Sequence, residues 1–261
     1  MKQPLFSCVM PVKGPRPYMD EALESLHAQG MGDDLEIIVQ DADLEPDRGQ
    51  SDAFNKGFAK AHGKWLFWLN ADDVLLPNAL RKVQRVIGES PSRTWIAGNQ
   101  VFVDKDGRVT KCLWGNSWHD WLYRHALPHV NGPSSFFTRE LFEKVGGFDV
   151  RMSVGMDFDL WIKFMKAGAH FERIQSYLWA WRNHDGSKTS SGVRSEFELR
   201  RQAEEIAEML RRQSFTITGT GNLKLRLWRL LDGSYLRSVV DSVRWRGRDL
   251  SAFSKRMCGD V

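Results

Sequence analysis

Short apolar runs alternate with amphipathic segments along the first hundred residues of the chain. The apolar runs end in polar residues or chain breakers and predict four buried strands, at 5–12, 35–41, 65–69 and 95–103. Between them, apolar residues at helical spacing predict three helices. The first begins near Met19, the second at Ser51 or Asp52, and the third near Pro77. This repeated strand–helix–strand order predicts an α/β fold with a Rossmann-like, mostly parallel sheet flanked by helices.

The pattern continues with shorter elements in the middle of the chain. Asp106-Gly107 is typical of a hairpin turn. Gly155 precedes an amphipathic segment that predicts a helix ending near Gly168. Three further strands are predicted, at Ser134–Thr138, His170–Ile174 and Tyr177–Arg182.

The chain changes character after residue 194, where three amphipathic helices are predicted without intervening strands. Their apolar stripes contain, in order, Leu199, Ala203, Ile206 and Leu210; Leu223, Leu227, Leu230 and Leu231; and Leu236, Val239, Val240 and Val243. We therefore predict two regions, an α/β domain at 1–194 and a basic helical extension at 195–261. Two alternatives remain for the extension: its helices pack on the main domain, or they bind a membrane surface or a partner.

Charge is distributed unevenly between these regions. The whole chain carries a net charge of +4 at neutral pH. From Asn222 to the end, nine Lys and Arg stand against four Asp, which gives +5 and leaves the preceding 221 residues at −1. A nucleic-acid partner is therefore poorly supported for the main domain, whereas an anionic surface remains an option for the extension.

The composition is that of an ordinary globular protein. Apolar residues make up 42% of the chain and charged residues 27%, and no apolar run reaches the roughly 18 residues of a membrane-spanning helix. The first residues lead into a strand without a secretory apolar segment. We expect a cytoplasmic protein, with a peripheral position on the inner face of the cell membrane as the second option. Three widely spaced cysteines predict free thiols without a chemical role.

Two adjacent carboxylates follow the third predicted strand. Asp72 and Asp73 come shortly after Trp65–Leu69, and the carboxyl ends of parallel strands form the edge at which α/β sheets bind ligands. Asp41 ends the second strand and is expected at the same edge. Neighbouring carboxylates repel each other, and a divalent cation that bridges a phosphate would offset the repulsion. Capping of the helix near Pro77 is the simpler alternative for this pair.

A third acidic position and a polar loop complete the candidate chemistry. Asp157 falls in the first turn of the helix after Gly155, so it can serve as a base that faces the cleft or simply cap the helix. Because the helix dipole favours a negative charge there, we expect this carboxylate to stay ionised. Residues 182–189 form a loop with Gly, Ser and Lys, which suits a diphosphate.

Aromatic and imidazole side chains are concentrated in residues 111–131. They are Trp114, Trp118, His119, Trp121, Tyr123, His125 and His129. A mobile flap, an acceptor-binding wall and core packing all remain open for this segment. None of the histidine spacings is typical of a metal site.

Together these landmarks resemble family 2 glycosyltransferases with the GT-A fold, in particular the bacterial branch that builds envelope and capsular polysaccharides. The resemblance extends from about Phe6 to Thr189. Residues 69–73 are similar to the family's DXD-type element, and residues 47–57 to its loop-and-helix signature. Met156-Asp157 stands where members of the family usually have Glu-Asp.

The resemblance implies a role for each matching residue. Asp157 would be the catalytic base, Asp73 the metal ligand and Asp72 the partner of the donor's ribose. His184 would contact the diphosphate or the metal. Further donor contacts are implied for Pro11, Asp41, Arg48, Lys56 and Ser187.

The implied activity is an inverting, metal-dependent transfer of a sugar from a nucleotide diphosphate donor to a glycan or a lipid-linked acceptor. Mn²⁺ or Mg²⁺ would be the cofactor. The chemistry agrees with these residues, because a departing diphosphate needs its charge stabilised and an acceptor hydroxyl needs a base. Two rivals remain: a sugar-phosphate nucleotidyltransferase, which residues 13–17 match only weakly, and a nucleotide-binding module without catalysis.

Overall fold

The computed structural model describes residues 2–127, 130, 132–187 and 196–259, with the backbone alone for 196–198. These residues form eight strands and ten α-helices. The strands are β1 (Phe6–Val12), β2 (Leu35–Asp41), β3 (Trp65–Trp68), β4 (Val74–Leu75), β5 (Trp95–Val103), β6 (Val109–Leu113), β7 (Ser135–Thr138) and β8 (Glu172–Arg182). The helices are α1 (Met19–His27), α2 (Gln50–Lys60), α3 (Ala79–Glu89), α4 (Asp120–Tyr123), α5 (Arg139–Lys144), α6 (Met156–Lys166), α7 (Glu196–Arg212), α8 (Gly219–Leu231), α9 (Ser234–Trp245) and α10 (Leu250–Met257).

One sheet contains all eight described strands. Its order is β2–β1–β3–β7–β5–β8–β4, and β6 pairs with the second half of β5. β1 is parallel to β2 and β3, and β5 is parallel to β8, whereas β7, β4 and β6 are antiparallel to their neighbours. Five strands, β1, β2, β3, β5 and β8, therefore point the same way. The predicted α/β class is confirmed, and the carboxyl ends of these five strands define one edge of the sheet.

Side chains alternate along β1 and so contribute to a core on each face of the sheet. Phe6, Cys8 and Met10 pack with α1 and α3 on one face, whereas Val9 packs with α2 and α6 on the other. Gly57 allows α2 to approach β1 closely, because a Cβ atom at this position would lie 2.4 Å from Cγ1 of Val9. The alternation of a strand thus places helices on both faces.

The predicted strands His170–Ile174 and Tyr177–Arg182 are wrong as separate elements. They form the single strand β8, which runs parallel to β5. Register irregularities on either side of Asn99 keep the two strands paired along this length. The polar residues Gln175-Ser176 interrupt the apolar pattern without interrupting the strand.

The predicted starts of two helices are also displaced. Gly49, with a φ of 127°, precedes α2, so neither Ser51 nor Asp52 is the N-cap. Asp52 instead accepts a hydrogen bond from the backbone N–H of Arg48 at 3.0 Å, which fixes the entry into the helix. α3 begins two residues after Pro77 rather than at it.

The C-terminal helices α9 and α10 pack on the sheet. Trp245 and Phe253 join Tyr177 of β8 in one apolar cluster. Asp241 of α9 accepts hydrogen bonds from Nε1 of Trp114 at 2.9 Å and from the hydroxyl of Tyr177 at 2.8 Å. Packing on the main domain is therefore observed for these two helices, whereas the division at residues 194 and 195 stays a prediction. In the described part of the chain, no helix has both the length and the apolarity needed to cross a bilayer.

The three cysteines are buried and unpaired, as predicted. Burial raises the pKa of the Cys112 thiol to about 12 and that of Cys258 to about 11. Both thiols therefore stay protonated at neutral pH and act as small apolar groups in the core.

We expect Asp241→Ala to lower the free energy of unfolding by about 3 kcal/mol, because Trp114 and Tyr177 would each keep a buried donor without an acceptor. Urea unfolding followed by circular dichroism measures the change. Asp106→Ala, at an exposed turn position, is the control and should change stability by less than about 0.5 kcal/mol. Equal stability of the two variants would show that Asp241 does not hold α9 to the sheet.

Candidate functional site

Asp72 and Asp73 lie in the turn between β3 and β4, at the carboxyl edge of the sheet. Asp73 is buried, and its carboxylate accepts hydrogen bonds from the backbone N–H of Arg182 at 3.0 Å and from Nδ2 of Asn70 at 2.8 Å. Burial, together with the charge of Asp72, raises the pKa of Asp73 well above its ordinary value. Neither aspartate caps α3, which begins beyond β4, so the capping alternative is wrong.

Asp72 directs its carboxylate away from the core, where it meets His184. Oδ2 of Asp72 lies 3.1 Å from Nε2 of His184, and the two side chains are 32% and 18% exposed. Since β3 and β8 point the same way, their carboxyl ends bring together two residues that are 112 positions apart in sequence. A partly exposed carboxylate and imidazole at this distance can share a proton or bind a divalent cation.

Arg182 connects the parts of this edge, and it is not among the site residues that the sequence predicts. Its buried guanidinium donates to the backbone carbonyl of Asp72 at 3.1 Å and to the carboxylate of Glu21. The guanidinium also stacks on the ring of Tyr18, 4.5 Å from its centroid. The Tyr18 ring in turn lies 5.1 Å from the ring of His184. In the sequence, the position of Arg182 two residues before His184 is the signal that could have identified it. Its partners Glu21 and Tyr18 carry no such signal.

Asp41 ends β2 and pairs with an arginine from the loop after β1. Nη2 of Arg16 lies 2.8 Å from Oδ1 of Asp41 and 2.9 Å from Oδ2 of Asp43. Asp43 also accepts a hydrogen bond from the backbone N–H of Gly14 at 3.0 Å. The loops after β1 and β2 are therefore joined at the same edge of the sheet. Pro11 stands one residue before the end of β1, opposite Gln40 of β2 in the strand pairing.

Arg48 and Lys56 both contact the chain around the start of α2. Arg48 is 73% exposed, with its guanidinium 3.2 Å from Asp52. Nζ of Lys56 donates to the backbone carbonyl of Pro46 at 2.6 Å. These contacts order the loop before α2, and the exposed guanidinium of Arg48 remains within reach of solvent.

Ser187 stabilises the loop after β8. Its hydroxyl accepts a hydrogen bond from the backbone N–H of His184 and donates to the carbonyl of Arg182, each at 3.2 Å. This closed turn holds the imidazole of His184 beside Asp72. The last two residues of the predicted polar loop, Lys188 and Thr189, lie outside the described residues.

Asp157 lies in the first turn of α6 and is partly buried. Its Oδ1 accepts a hydrogen bond from the backbone N–H of Phe158 at 3.0 Å. Burial outweighs the hydrogen bonds at the helix start and raises the pKa of Asp157 to about 6. A carboxylate with this pKa is mostly ionised near pH 7 and binds a proton more readily than an exposed aspartate, which suits a general base.

A chain of contacts through α2 connects the start of α6 with the turn after β3. Nε2 of Gln50 donates to Oδ1 of Asn70 at 3.2 Å. The next residue, Ser51, contacts Sδ of Met156 at 3.4 Å. Asn70 in the acidic turn and Met156, which precedes Asp157, therefore both contact the first turn of α2, although they are far apart in sequence.

Asp159 has a different environment from Asp157. It is buried, its carboxylate lies 2.8 Å from Nζ of Lys163, and it accepts a hydrogen bond from Nε2 of Gln213 at 2.7 Å. These side-chain partners join α6 to the residue that follows α7. Asp159 therefore stabilises the packing of α6 against the end of α7.

The aromatic segment divides between core and surface. Trp114 and Tyr123 are buried, so core packing is correct for them. Trp121 is 36% exposed and stacks on the ring of His125 beside α8. An acceptor-binding role for this exposed part stays a prediction, and His129 lies outside the described residues.

Comparison with protein families identifies the region around the acidic turn. The model described as Glycosyl transferase family 2 matches residues 42–146, which include β3, β4 and the turn that contains Asp72 and Asp73. Residues 42–146 thus match the family 2 glycosyltransferase domain. The family named from the sequence resemblance is thereby confirmed.

The glycosyltransferase domain is similar to proteins from two bacterial genera. A PGL/p-HBAD biosynthesis glycosyltransferase of Mycobacterium bovis (strain BCG / Pasteur 1173P2) is 26% identical over 223 residues, which cover 76% of this chain and 84% of that protein. An uncharacterized glycosyltransferase of Rickettsia bellii (strain RML369-C) is 26% identical over 221 residues, which cover 74% of this chain and 32% of that protein. The chain thus spans about a third of the length of the rickettsial relative.

A solved structure confirms the fold of the glycosyltransferase domain. The mannosyltransferase PcManGT from Pyrobaculum calidifontis, in complex with GDP-Man and Mn²⁺, superposes with a TM-score of 0.54 at 17% identity. The superposition covers 81% of this chain and 64% of that chain. The likeness concerns the fold, and it confirms the predicted GT-A architecture.

The side chains at the edge of the glycosyltransferase domain fit a divalent cation as part of its ligand set. Asp72 and His184 supply a carboxylate oxygen and an imidazole nitrogen. A cation would offset the repulsion by Asp72 that, together with the larger effect of burial, raises the pKa of Asp73. Among the described residues, no three or more His, Cys, Asp or Glu side chains form a complete metal cluster. A cation held here would therefore take its remaining ligands from a diphosphate and water, as Mg²⁺ commonly does.

Asp157→Asn should raise the free energy of unfolding at pH 8 by about 2 kcal/mol. The carboxyl pKa is about 6 in the folded protein against an ordinary value of 3.8, so the folded state holds the proton more tightly than the unfolded chain. Stability therefore falls as the pH rises through this interval. The neutral amide of Asn removes this loss and keeps an acceptor for the N–H of Phe158.

Urea unfolding at pH 4 and pH 8 measures this effect, which should be small at pH 4 and complete at pH 8. Asp20→Asn is the matched control, because Asp20 is an exposed aspartate in the first turn of α1. It should change stability by less than about 0.5 kcal/mol at either pH. Loss of stability in Asp157→Asn at pH 8 would contradict the dominance of burial.

Proposed function

We propose that the chain is an inverting, metal-dependent glycosyltransferase that moves a sugar from a nucleotide diphosphate donor to a glycan or lipid-linked acceptor. The observation that carries the proposal is that Asn70 of the Asp72–Asp73 turn and Met156, the neighbour of Asp157, contact the same turn of α2. One acidic site suits the departing diphosphate, and the other suits a hydroxyl that must lose its proton. The family 2 domain and the printed names of its relatives support this class of reaction.

On the donor side, Asp72 and His184 would hold the cation next to the diphosphate. A bound Mn²⁺ or Mg²⁺ ion would stabilise the negative charge that develops on the departing diphosphate. Asp73 lies behind this pair with its carboxylate already hydrogen-bonded, so it would add negative charge close to the ion. Direct ligation by Asp73, as the resemblance implies, stays a prediction.

The ends of β1 and β2 are proposed to bind the nucleoside of the donor. Arg16 pairs with the carboxylate of Asp41 and fixes its orientation at the sheet edge, where this carboxylate would bind the base. Pro11 at the end of β1 flanks this position. Arg48 and Lys56, in the loop and helix that follow β2, both pair with Asp52 and would supply positive charge to the diphosphate.

On the acceptor side, Asp157 would take the proton from the attacking hydroxyl. Since its Oδ1 is occupied by the N–H of Phe158, Oδ2 is the oxygen that accepts the proton. The acceptor oxygen bonds to the anomeric carbon while the bond from that carbon to the diphosphate oxygen breaks. The electron pair of the broken bond leaves with the diphosphate, and a single displacement of this kind inverts the anomeric configuration.

The acceptor and the cellular position belong to the same proposal. The resemblance to enzymes that build envelope polysaccharides supports a glycan or lipid-linked acceptor. The basic C-terminal helices support a cytoplasmic protein in peripheral contact with the inner face of the membrane. Transfer to a lipid-linked sugar would need such contact.

Asp72→Asn and His184→Ala should each weaken Mn²⁺-dependent donor binding by about tenfold or more, because each removes a proposed ligand. A thermal-shift screen of UDP-, GDP- and dTDP-sugars first identifies the donor, since a ligand at about 100 times its Kd stabilises by roughly 2.7 kcal/mol. Calorimetry with that donor then compares the variants. Asp33→Asn, at an exposed position before β2, is the control and should bind as wild type does.

The same titration separates the two aspartates. A larger loss of affinity in Asp73→Asn than in Asp72→Asn would assign direct ligation to Asp73 instead. Equal binding with and without the metal in wild type would contradict the metal dependence. Donor binding without transfer to any acceptor would indicate a nucleotide-binding module.

Asp157→Asn should lower the transfer rate by roughly 100-fold or more while donor affinity stays within about twofold, because only the acceptor loses its base. In wild type, kcat/KM should fall tenfold per pH unit below about pH 6, where Asp157 becomes protonated. Asp159→Asn is the control and should lose stability rather than transfer. Near-wild-type transfer by Asp157→Asn, with collapse in Asp159→Asn, would reverse the two assignments.

A further inference from the structure

The apolar stripes of α8 and α9 face outwards rather than towards the sheet. The exposed residues on α8, at 50% to 80% exposure, are Leu223, Leu227, Leu230 and Leu231. Those on α9, at 42% to 77% exposure, are Tyr235, Leu236, Val239, Val240 and Val243. Each set follows helical spacing, so each helix presents one continuous apolar side. Single exposed apolar residues are ordinary, but a contiguous set on two consecutive helices marks a contact surface.

Apart from Trp245 at its end, the side of α9 that contacts the sheet consists of small and polar residues. Ser238 and Ser242 accept hydrogen bonds from the backbone N–H groups of Trp114 and Cys112, each at 2.9 Å. Asp241 lies on the same side and is buried. This helix is therefore oriented opposite to an ordinary amphipathic surface helix, which directs its apolar stripe inwards. Specific hydrogen bonds fix the orientation and leave the apolar side without a partner in the described part of the chain.

Charged side chains in this part of the chain are also sorted by exposure. Between residues 222 and 259 the exposed cationic residues are Lys224, Arg226, Arg237, Arg244, Arg246, Arg248, Lys255 and Arg256. By contrast, the side chains of Asp232 and Asp241 are only 8% and 4% exposed, which leaves Asp249 as the exposed acid in this span. Arg237 pairs with Asp241, and the remaining exposed cations still outnumber Asp249, so the exposed charge in this span is basic. Two copies of the chain joined through it would bring like charges together, whereas anionic headgroups would pair with them.

An aromatic groove continues the apolar side of α8. It has a volume of about 370 Å³ and lies between α4 and α8, with Trp121, Trp228, Leu227 and Leu231 among its lining residues. Nζ of Lys224 lies 3.7 Å from the centroid of the Trp121 ring. Tryptophan with an adjacent lysine at the border of an apolar surface is typical of the membrane interface.

We propose that α8 and α9 form a docking surface for an anionic lipid bilayer. The leucine and valine side chains enter the boundary between headgroups and acyl chains, and the surrounding arginines and lysines pair with lipid phosphates. This surface would provide the membrane contact of the proposed function. Its biological role therefore rests on the proposed function. Lipid binding itself requires neither the donor nor the metal.

Sedimentation of the full chain with extruded vesicles tests this surface. Wild type should bind vesicles of phosphatidylcholine mixed with phosphatidylglycerol at low salt, bind them less at high salt, and bind pure phosphatidylcholine weakly. Leu231→Gln with Val243→Gln should lower the partition coefficient by about tenfold or more. The matched control is Leu44→Gln with Leu199→Gln, two exposed apolar residues outside the surface, which should stay within about twofold of wild type.

The basic residues are tested in the same way. Arg226→Gln with Arg246→Gln should reduce binding to the anionic vesicles, whereas Arg81→Gln with Arg85→Gln on α3 should not. All four pairs replace exposed side chains, and circular dichroism checks that each variant is folded.

Three outcomes would overturn the docking surface. The first is a wild-type protein that does not bind anionic vesicles at low salt. The second is an equal loss of vesicle binding in the surface variants and their controls. A dimer in light scattering that Leu231→Gln with Val243→Gln converts to a monomer, with unchanged vesicle binding, would assign the surface to a second copy of the chain. Donor binding is measured on the same samples, so its failure would contradict the proposed function and not the lipid surface.

Discussion

One buried hydrogen bond underlies the arrangement of the acidic edge. The backbone N–H of Arg182 donates to Asp73, which joins the turn after β3 to the end of β8 across 109 positions of sequence. Because Asp73 is fixed below the surface, Asp72 directs its carboxylate outwards to meet His184. The guanidinium of Arg182 holds the carbonyl of Asp72 from the same side. A buried carboxylate with a raised pKa is unfavourable by itself, and here it is retained where positive charge would relieve it.

Burial also shapes the second acidic site, with a different result. Asp157 begins a helix, and helix starts favour negative charge, yet removal of water from its carboxylate outweighs this and raises its pKa. The two sites thus differ in what they hold. The Asp72–Asp73 turn concentrates negative charge at a strand end, whereas Asp157 is a single carboxyl that exchanges a proton near neutral pH. In the proposed reaction, charge stabilisation and proton transfer would fall to separate carboxylates.

The sequence predicted those features that depend on local pattern. The order of strands and helices, the acidic turn after β3 and the first-turn position of Asp157 all follow from short-range periodicity. β8 was divided wrongly because Gln175-Ser176 break the apolar run, while pairing with β5 continues through them. Arg16 and Arg182 were missed because their partners come from loops and strands brought together only by the sheet order. The orientation of α9 depends on serine hydrogen bonds to Trp114 and Cys112, which no periodicity encodes.

The position of Tyr177 has a consequence for how the chain can be divided. Tyr177 belongs to β8, the strand whose end supplies Arg182 and leads to His184, and it packs against Phe253 and bonds to Asp241 of the C-terminal helices. Removing those helices would expose the middle of this strand to water and leave the hydroxyl of Tyr177 without its acceptor, Asp241. A shortened chain that ends after the predicted α/β region would lose the packing beneath Arg182 and His184. The C-terminal helices and the edge that carries Arg182 and His184 therefore share one strand, so truncation of the helices should destabilise that edge.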